Sequence, residues 1–258
     1  MRPPQKLKTW IEIGRGAVRK NIRTFRSLLN PKTKLMAVVK SNAYGHGITV
    51  FPKLAEQHGA DGFCVDSVAE GARLRKEGIQ KPIFVLGPTF PEALGDAREN
   101  RLVITISTFE GARTLARQKN RPDFHLKVET GMNRQGMTLK EIPRAIRFIK
   151  EKNLPLKGIY THFASAKDIN YPTFTEMQFE RFMKADTLFK KAGFKKLVRH
   201  AAATAGTLIN KKYHLDWVRV GIGLYGLWPS RASNTAVIAC YSLSCSLLAR
   251  ADKRGESG

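Results

Sequence analysis

The chain has 258 residues, 42% hydrophobic and 26% charged, which is enough apolar material for one large core or for one domain and part of another. Its 45 Lys and Arg against 21 Asp and Glu leave a formal charge of +24, yet the basic residues neither interleave with aromatics nor form a tail, so non-specific attraction to polyanions is expected and a specific nucleic-acid partner is not. No apolar run is long enough for a bilayer, residues 1–9 are basic without an apolar core, and Cys64, Cys240 and Cys245 match neither a disulfide framework nor a metal-binding spacing; a cytoplasmic protein without a metal is expected.

Residues 9–13 alternate apolar and polar, as a half-buried strand does, and 15–29 carries Val18, Ile22, Phe25 and Leu29 at helical spacing. From Leu35 the chain becomes repetitive. Short apolar runs at 35–39, 62–65, 82–86, 102–106, 124–128, 158–160, 197–199 and 217–220 read as strands. Helical periodicity follows at 67–77, 91–99, 109–118, 139–152, 176–191 and 203–209. Short strands alternating with helices imply parallel βα units, and eight strands are the number that closes a (β/α)8 TIM-like barrel of the α/β class. After Ser230 the texture changes: 236–248 is an apolar, β-rich run with nothing left in the chain to pair with, and 249–258 is polar.

The first barrel strand leads into Met36-Ala37-Val38-Val39-Lys40-Ser41-Asn42-Ala43-Tyr44-Gly45-His46-Gly47. The run breaks from β-branched to small, polar and glycine positions, as a strand does when it enters a loop beside a ligand. Lys40 stands at the break. A lysine at the end of a buried strand loses hydration, which favours its neutral amine, the form that makes a Schiff base. Read alone, it is more often a surface lysine capping a strand.

Other chemistry-bearing residues fall at later strand ends, where barrels keep functional groups. They are Lys127 and the loop Gly131-Met132-Asn133-Arg134-Gln135-Gly136, Tyr160-Thr161-His162-Phe163, His200 to Thr204, and Arg219-Val220-Gly221-Ile222-Gly223. Thr204 and the glycines at 221 and 223 lie after strands seven and eight, where exposed amides and a hydroxyl make a phosphate cradle. Arg219 alternatively pairs with Asp216 at a strand end.

The string around Lys40 closely resembles the cofactor-lysine motif of alanine racemases, fold-type III pyridoxal-phosphate enzymes, and the resemblance recurs in family order from about Thr9 to Ser230. It implies a barrel over 1–230 and the beginning of an all-β domain over 231–258, so that the chain is a fragment of a longer protein or has lost that domain. By the resemblance, Lys40 carries pyridoxal phosphate and is the D-face base; Tyr44, Thr204, Gly221 and Ile222 hold the phosphate. Arg219 faces the pyridine nitrogen, which must then stay an unprotonated acceptor because arginine has only donors. His162 stacks near the ring and hydrogen-bonds Arg219. Arg134 holds the ring hydroxyl and the substrate carboxylate, and Lys127 matches a lysine that is carbamylated in some members and steadies that arginine. One departure is local: Ala203-Thr204 stands where the family usually has Asn-Ser, which keeps a hydroxyl and loses an amide.

The implied reaction is two-base interconversion of L- and D-alanine, supplying D-alanine for peptidoglycan, in a homodimer. The family's L-face base is a tyrosine of the second domain reaching across from the partner subunit, and nothing in this chain matches it. A barrel-only pyridoxal-phosphate-binding carrier or regulatory protein is the alternative, and a related racemase acting on serine or lysine remains open.

Overall fold

Eight β-branched and aromatic runs, each too short for a stable helix, pair side by side in sequence order. The structure is a computed structural model and describes residues 9–168, 172–228 and 247–251. After β1 (Thr9–Ile13) and the helix Arg15–Leu28 come β2 (Lys34–Val38), β3 (Gly62–Val65), β4 (Ile83–Pro88) and β5 (Val103–Ile106). Then follow β6 (Phe124–Lys127), β7 (Leu156–Tyr160), β8 (Val198–Ala203) and β9 (Trp217–Val220). Strands β2 to β9 form a closed parallel barrel, with β9 returning to β2 through Met36↔Arg219. The eightfold (β/α)8 expectation holds.

Successive side chains on a strand face opposite ways, so each barrel strand serves two cores. Leu35, Ala37, Phe63, Val65, Ile104, Leu126 and Val218 pack outward under the helices. Met36, Val38, Cys64, Phe84, Tyr160 and Trp217 form a separate inner cluster. Continuing the inner set toward the C-terminal ends gives Lys127, His200 and Arg219, all buried. The upper barrel interior is therefore polar, which an ordinary packed barrel avoids.

Several expectations are corrected. The helix expected at 176–191 begins a turn earlier, at Pro172, since a proline fits a first turn whose N–H has no partner anyway. That expected at 139–152 is Ile142–Glu151, because the Glu141 carboxylate takes the Thr138 amide and hydroxyl and holds the approach as a turn. An unexpected helix, Phe51–Gln57, carries Pro52 in its first turn. The run 236–248 was expected to lack a pairing partner, and most of it lies outside the described residues. Its end belongs to β10 (Leu247–Ala251), which pairs antiparallel with β1 from Ile13↔Leu247 to Thr9↔Ala251 and satisfies that strand's backbone edge. In β1, Ile13 packs on the core while Ile11 stays 54% exposed. No helix among the described residues is long and apolar enough to cross a membrane.

Candidate active site

The chain leaves β2 through Lys40 into a left-handed turn: Ser41, Asn42, Ala43 and Tyr44 have φ of 53°, 55°, 54° and 52°. Such a conformation costs an L-residue about 1 kcal/mol or more, so four in a row persist only where the surroundings compel them. Those surroundings are Ala43 N to Val39 O (2.9 Å), His46 N to Ala43 O (3.0 Å), Ile48 N to Asn42 Oδ1 (2.9 Å) and Ser41 N to Glu70 Oε1 (2.6 Å). The turn doubles back and sets the Tyr44 ring 5.1 Å from Tyr225, whose hydroxyl donates to Val38 O (2.8 Å).

Above the barrel opens a cavity of about 660 Å³ lined by Lys40, Tyr44, Asp66, Lys127, Arg134, His162, Thr204, Arg219, Gly221 and Ile222, among others. The residues singled out from sequence thus line one cavity. Lys40 is less enclosed than expected: its side chain is 36% exposed, because it stands at the barrel mouth, and Nζ is ion-paired with Asp66 at 3.1 Å.

Arg219 crosses the cavity floor, 3% exposed. Nη1 donates to His200 Nδ1 (2.5 Å), and Nη2 donates to Thr161 O (2.8 Å) and Ala201 O (3.0 Å). Guanidinium has no acceptor, so His200 Nδ1 must be bare and its proton sits on Nε2, which donates to His125 Nδ1 at 2.7 Å. Burial first and the Arg219 charge second hold both imidazoles neutral: His125 is pushed down to about 3, and His200 well below its ordinary value. The histidine bonded to Arg219 is therefore His200, not His162 as expected from the motif; His200 lies on β8 beside β9, while His162 lies beyond the end of β7. His162 is itself pushed down to about 3 by burial and then by Arg219, Arg134, Lys127 and Lys40. It presents a neutral ring. The alternative pairing of Arg219 with Asp216 is also replaced, since Asp216 takes Arg199 (2.9 Å).

On the opposite wall, Thr204 Oγ1 accepts the amides of Gly221 (3.1 Å) and Gly223 (3.4 Å), keeping its own O–H to donate. Gly221 lets the Tyr44 hydroxyl come close: a Cβ there would lie 3.1 Å from it, so the tyrosine would have to shift. Two hydroxyls and the first amide of the turn Ile222–Tyr225, which such a turn leaves without an internal partner, make a donor set suited to a phosphate.

Residues 13–229 match the family model described as "Alanine racemase, N-terminal domain". The chain belongs to this family. It is 38% identical over 224 residues to an alanine racemase of Leptospira interrogans, covering 86% of this chain and 58% of that relative. It is 40% identical over 226 residues to alanine racemase 1 of Bacillus subtilis, covering 86% and 57%. The chain thus spans less than two thirds of the length of these relatives. Among solved structures it is similar to the Clostridium difficile alanine racemase in complex with cycloserine (TM-score 0.89, 29% identity, 96% of this chain and 69% of that one). It is also similar to the Bacillus anthracis enzyme with bound L-Ala-P (TM-score 0.88, 29% identity, 95% and 64%).

In this alanine racemase N-terminal domain, Arg134 rides on the loop closed by the Val128↔Met137 bridge. Gly136 has φ 134°, and a Cβ there would lie 2.7 Å from Glu129 N, so no larger residue closes the loop. Lys127 is buried below it, with Nζ 5.5 Å from the Tyr160 ring centroid. Burial, Arg134 and then Arg219 push Lys127 down to about 7, with Glu129 opposing. As a cation it repels Arg134; only a neutral or carbamylated Lys127 could steady it.

Between about 7 and its ordinary 10.5 the unfolded chain binds a proton that folded Lys127 does not, so this lysine makes stability rise with pH across that window. In CO2-free buffer, Lys127→Met is expected to unfold at higher urea than the parent. The gain is on the order of 3 kcal/mol at pH 6 and fades toward pH 10. Bicarbonate is expected to narrow the gap by carbamylating the parent.

The motif reading gives no place to Asp66, Glu70 and Tyr225, and it names the string from His200 to Thr204 without assigning His200 a role. For His200 the signal was available: it shares the inward register of Val198, as Arg219 shares that of Trp217.

Proposed function

We propose that the chain is the pyridoxal-phosphate-binding barrel of an alanine racemase, interconverting L- and D-alanine. The observation that carries this reading is the cavity's charge: Lys40, Lys127, Arg134 and Arg219 line it against a single carboxylate among its lining residues, Asp66. Such a site suits a ligand bearing a phosphate and a substrate bearing a carboxylate.

Pyridoxal phosphate, when bound, supplies an electron-withdrawing ring that acidifies the α-proton of an attached amino acid. The chain's residues supply the rest. Lys40 would be the amine that retains the cofactor and, with Nζ free, the base that moves the α-proton on the D face. Tyr44, Thr204, Gly221 and Ile222 hold the phosphate. Arg219, backed by His200 and His125, would face the ring nitrogen as a permanent donor and so would hold no proton there. His162, a neutral ring in the cavity lining, would lie against the cofactor, and Arg134 would take the substrate carboxylate through its planar fork of donors. The L-face base is expected from a tyrosine of a partner subunit, in a cytoplasmic homodimer supplying D-alanine for peptidoglycan. The cycloserine and L-Ala-P bound by the two related enzymes, both amino-acid analogues, support an alanine-sized substrate.

Incubation with pyridoxal phosphate and reduction with borohydride, followed by peptide mass mapping, is expected to label Lys40. Label elsewhere, or none, contradicts the reading. Gly221→Ala, by pushing the Tyr44 hydroxyl aside, is expected to weaken cofactor binding roughly tenfold, about 1.4 kcal/mol, in a titration followed by absorbance.

A further inference from the structure

Asp66, the carboxylate of the cavity wall, is committed to Lys40, with Oδ1 3.1 Å from Nζ. Asp66 is in turn aimed by Glu70. The helix Val68–Lys76 starts with Ser67 as N-cap, its hydroxyl accepting the Glu70 amide at 3.2 Å. In a capping box the glutamate then reaches back to the amide of the capping residue itself. Here it reaches further. Glu70 Oε2 takes the Asp66 amide (2.8 Å) and Oε1 takes the Ser41 amide (2.6 Å).

Lys40 is thereby held at both ends, through the adjoining main chain by Glu70 and at Nζ by Asp66. Both anchors come from the segment after β3, so the left-handed turn and the counter-ion are tied together. The pairing has an electrostatic reason as well: Arg134 and Arg219, in the same cavity lining, repel a Lys40 ammonium, and Asp66 offsets them.

We propose that Asp66 and Glu70 are positioning residues for Lys40. Glu70 fixes the turn that carries it, and Asp66 holds its ammonium at the cavity wall whenever Nζ is not engaged with a carbonyl carbon. The inference rests on reading Lys40 as the cofactor lysine and deepens that reading by two residues.

The test needs no cofactor. The full chain is labelled with trace acetic anhydride at pH 8, and Lys40 acetylation is read by mass spectrometry relative to the exposed Lys20. Asp66→Asn is expected to raise relative Lys40 labelling about threefold, the effect of losing a half-exposed ion pair. Asp66→Glu is expected to bring it back toward the parent. Glu70→Gln, with one acceptor oxygen where two amides must be met, is expected to speed hydrogen exchange at the Ser41 and Asp66 amides roughly tenfold at an unchanged melting temperature. Unchanged Lys40 labelling in a folded Asp66→Asn chain overturns the role of Asp66, and unchanged exchange in Glu70→Gln overturns that of Glu70. Failure of the parent to capture pyridoxal phosphate overturns the cofactor reading instead, and borohydride labelling scores that separately.

Discussion

Lys40→Ala is expected to abolish covalent capture of pyridoxal phosphate and to lower α-proton exchange by roughly 10³-fold or more, because the proposed function gives one side chain the work of both nucleophile and base. The fold is expected to survive. Lys40 is 36% exposed and its ion pair with Asp66 is half-exposed, so its removal is worth no more than about 1 kcal/mol. Circular dichroism and a urea curve on the same sample separate lost chemistry from lost structure. Supplying methylamine tests the assignment further, since a free amine can take over proton transfer but cannot restore the covalent tether to the chain.

Arg219→Leu is expected to have the largest effect on stability, about 3–5 kcal/mol. The substitution strips the donor from His200 Nδ1 and from the carbonyls of Thr161 and Ala201, three buried acceptors. It also frees the tautomer of His200 and, through it, of His125. Arg219→Lys keeps a positive charge but lacks the planar fork, so it is expected to recover only part of the loss. Urea midpoints of the three proteins, compared at pH 7, give the order parent, Lys, Leu. Equal midpoints for the Lys and Leu variants would mean that charge and not fork geometry is what the site requires.

The barrel was legible because each strand is a short β-branched or aromatic run bounded by polar, glycine or proline positions, and because the count closes. The ends of Val68–Lys76 and Phe109–Arg117 were legible to a residue, each capped by a hydroxyl, Ser67 or Thr108. The turn Ser41–Tyr44 was not. Of its four left-handed residues only Asn42 belongs to a type that tolerates the conformation, and the bonds that impose it come partly from Glu70, 29 residues on. The Phe51–Gln57 helix was obscured because proline reads as a breaker before it reads as a first-turn residue. Pairing of β1 with β10 joins the two ends of the chain, a separation no local pattern reports.

Within the site, Lys40, Tyr44, Arg134 and Arg219 were picked out because their motif strings are distinctive, and they line one cavity. His200 is named with its string but given no role, because the upper barrel wall is polar, which removes the apolar contrast that marks an inward face. The neighbouring His162, in a similar sequence position at the end of a strand, took its expected bond. Asp66 reads as a solvated carboxylate after a strand, and only its distance to Nζ says otherwise.

The most direct test of Lys40 as the base of a racemase site is α-deuterium exchange in heavy water, with the purified chain, pyridoxal phosphate and D-alanine. Deuterium entering Cα of D-alanine in the parent and not in Lys40→Ala is the predicted result. A folded chain that retains the cofactor on Lys40 yet leaves D-alanine unexchanged would contradict it and leave a binding protein in its place.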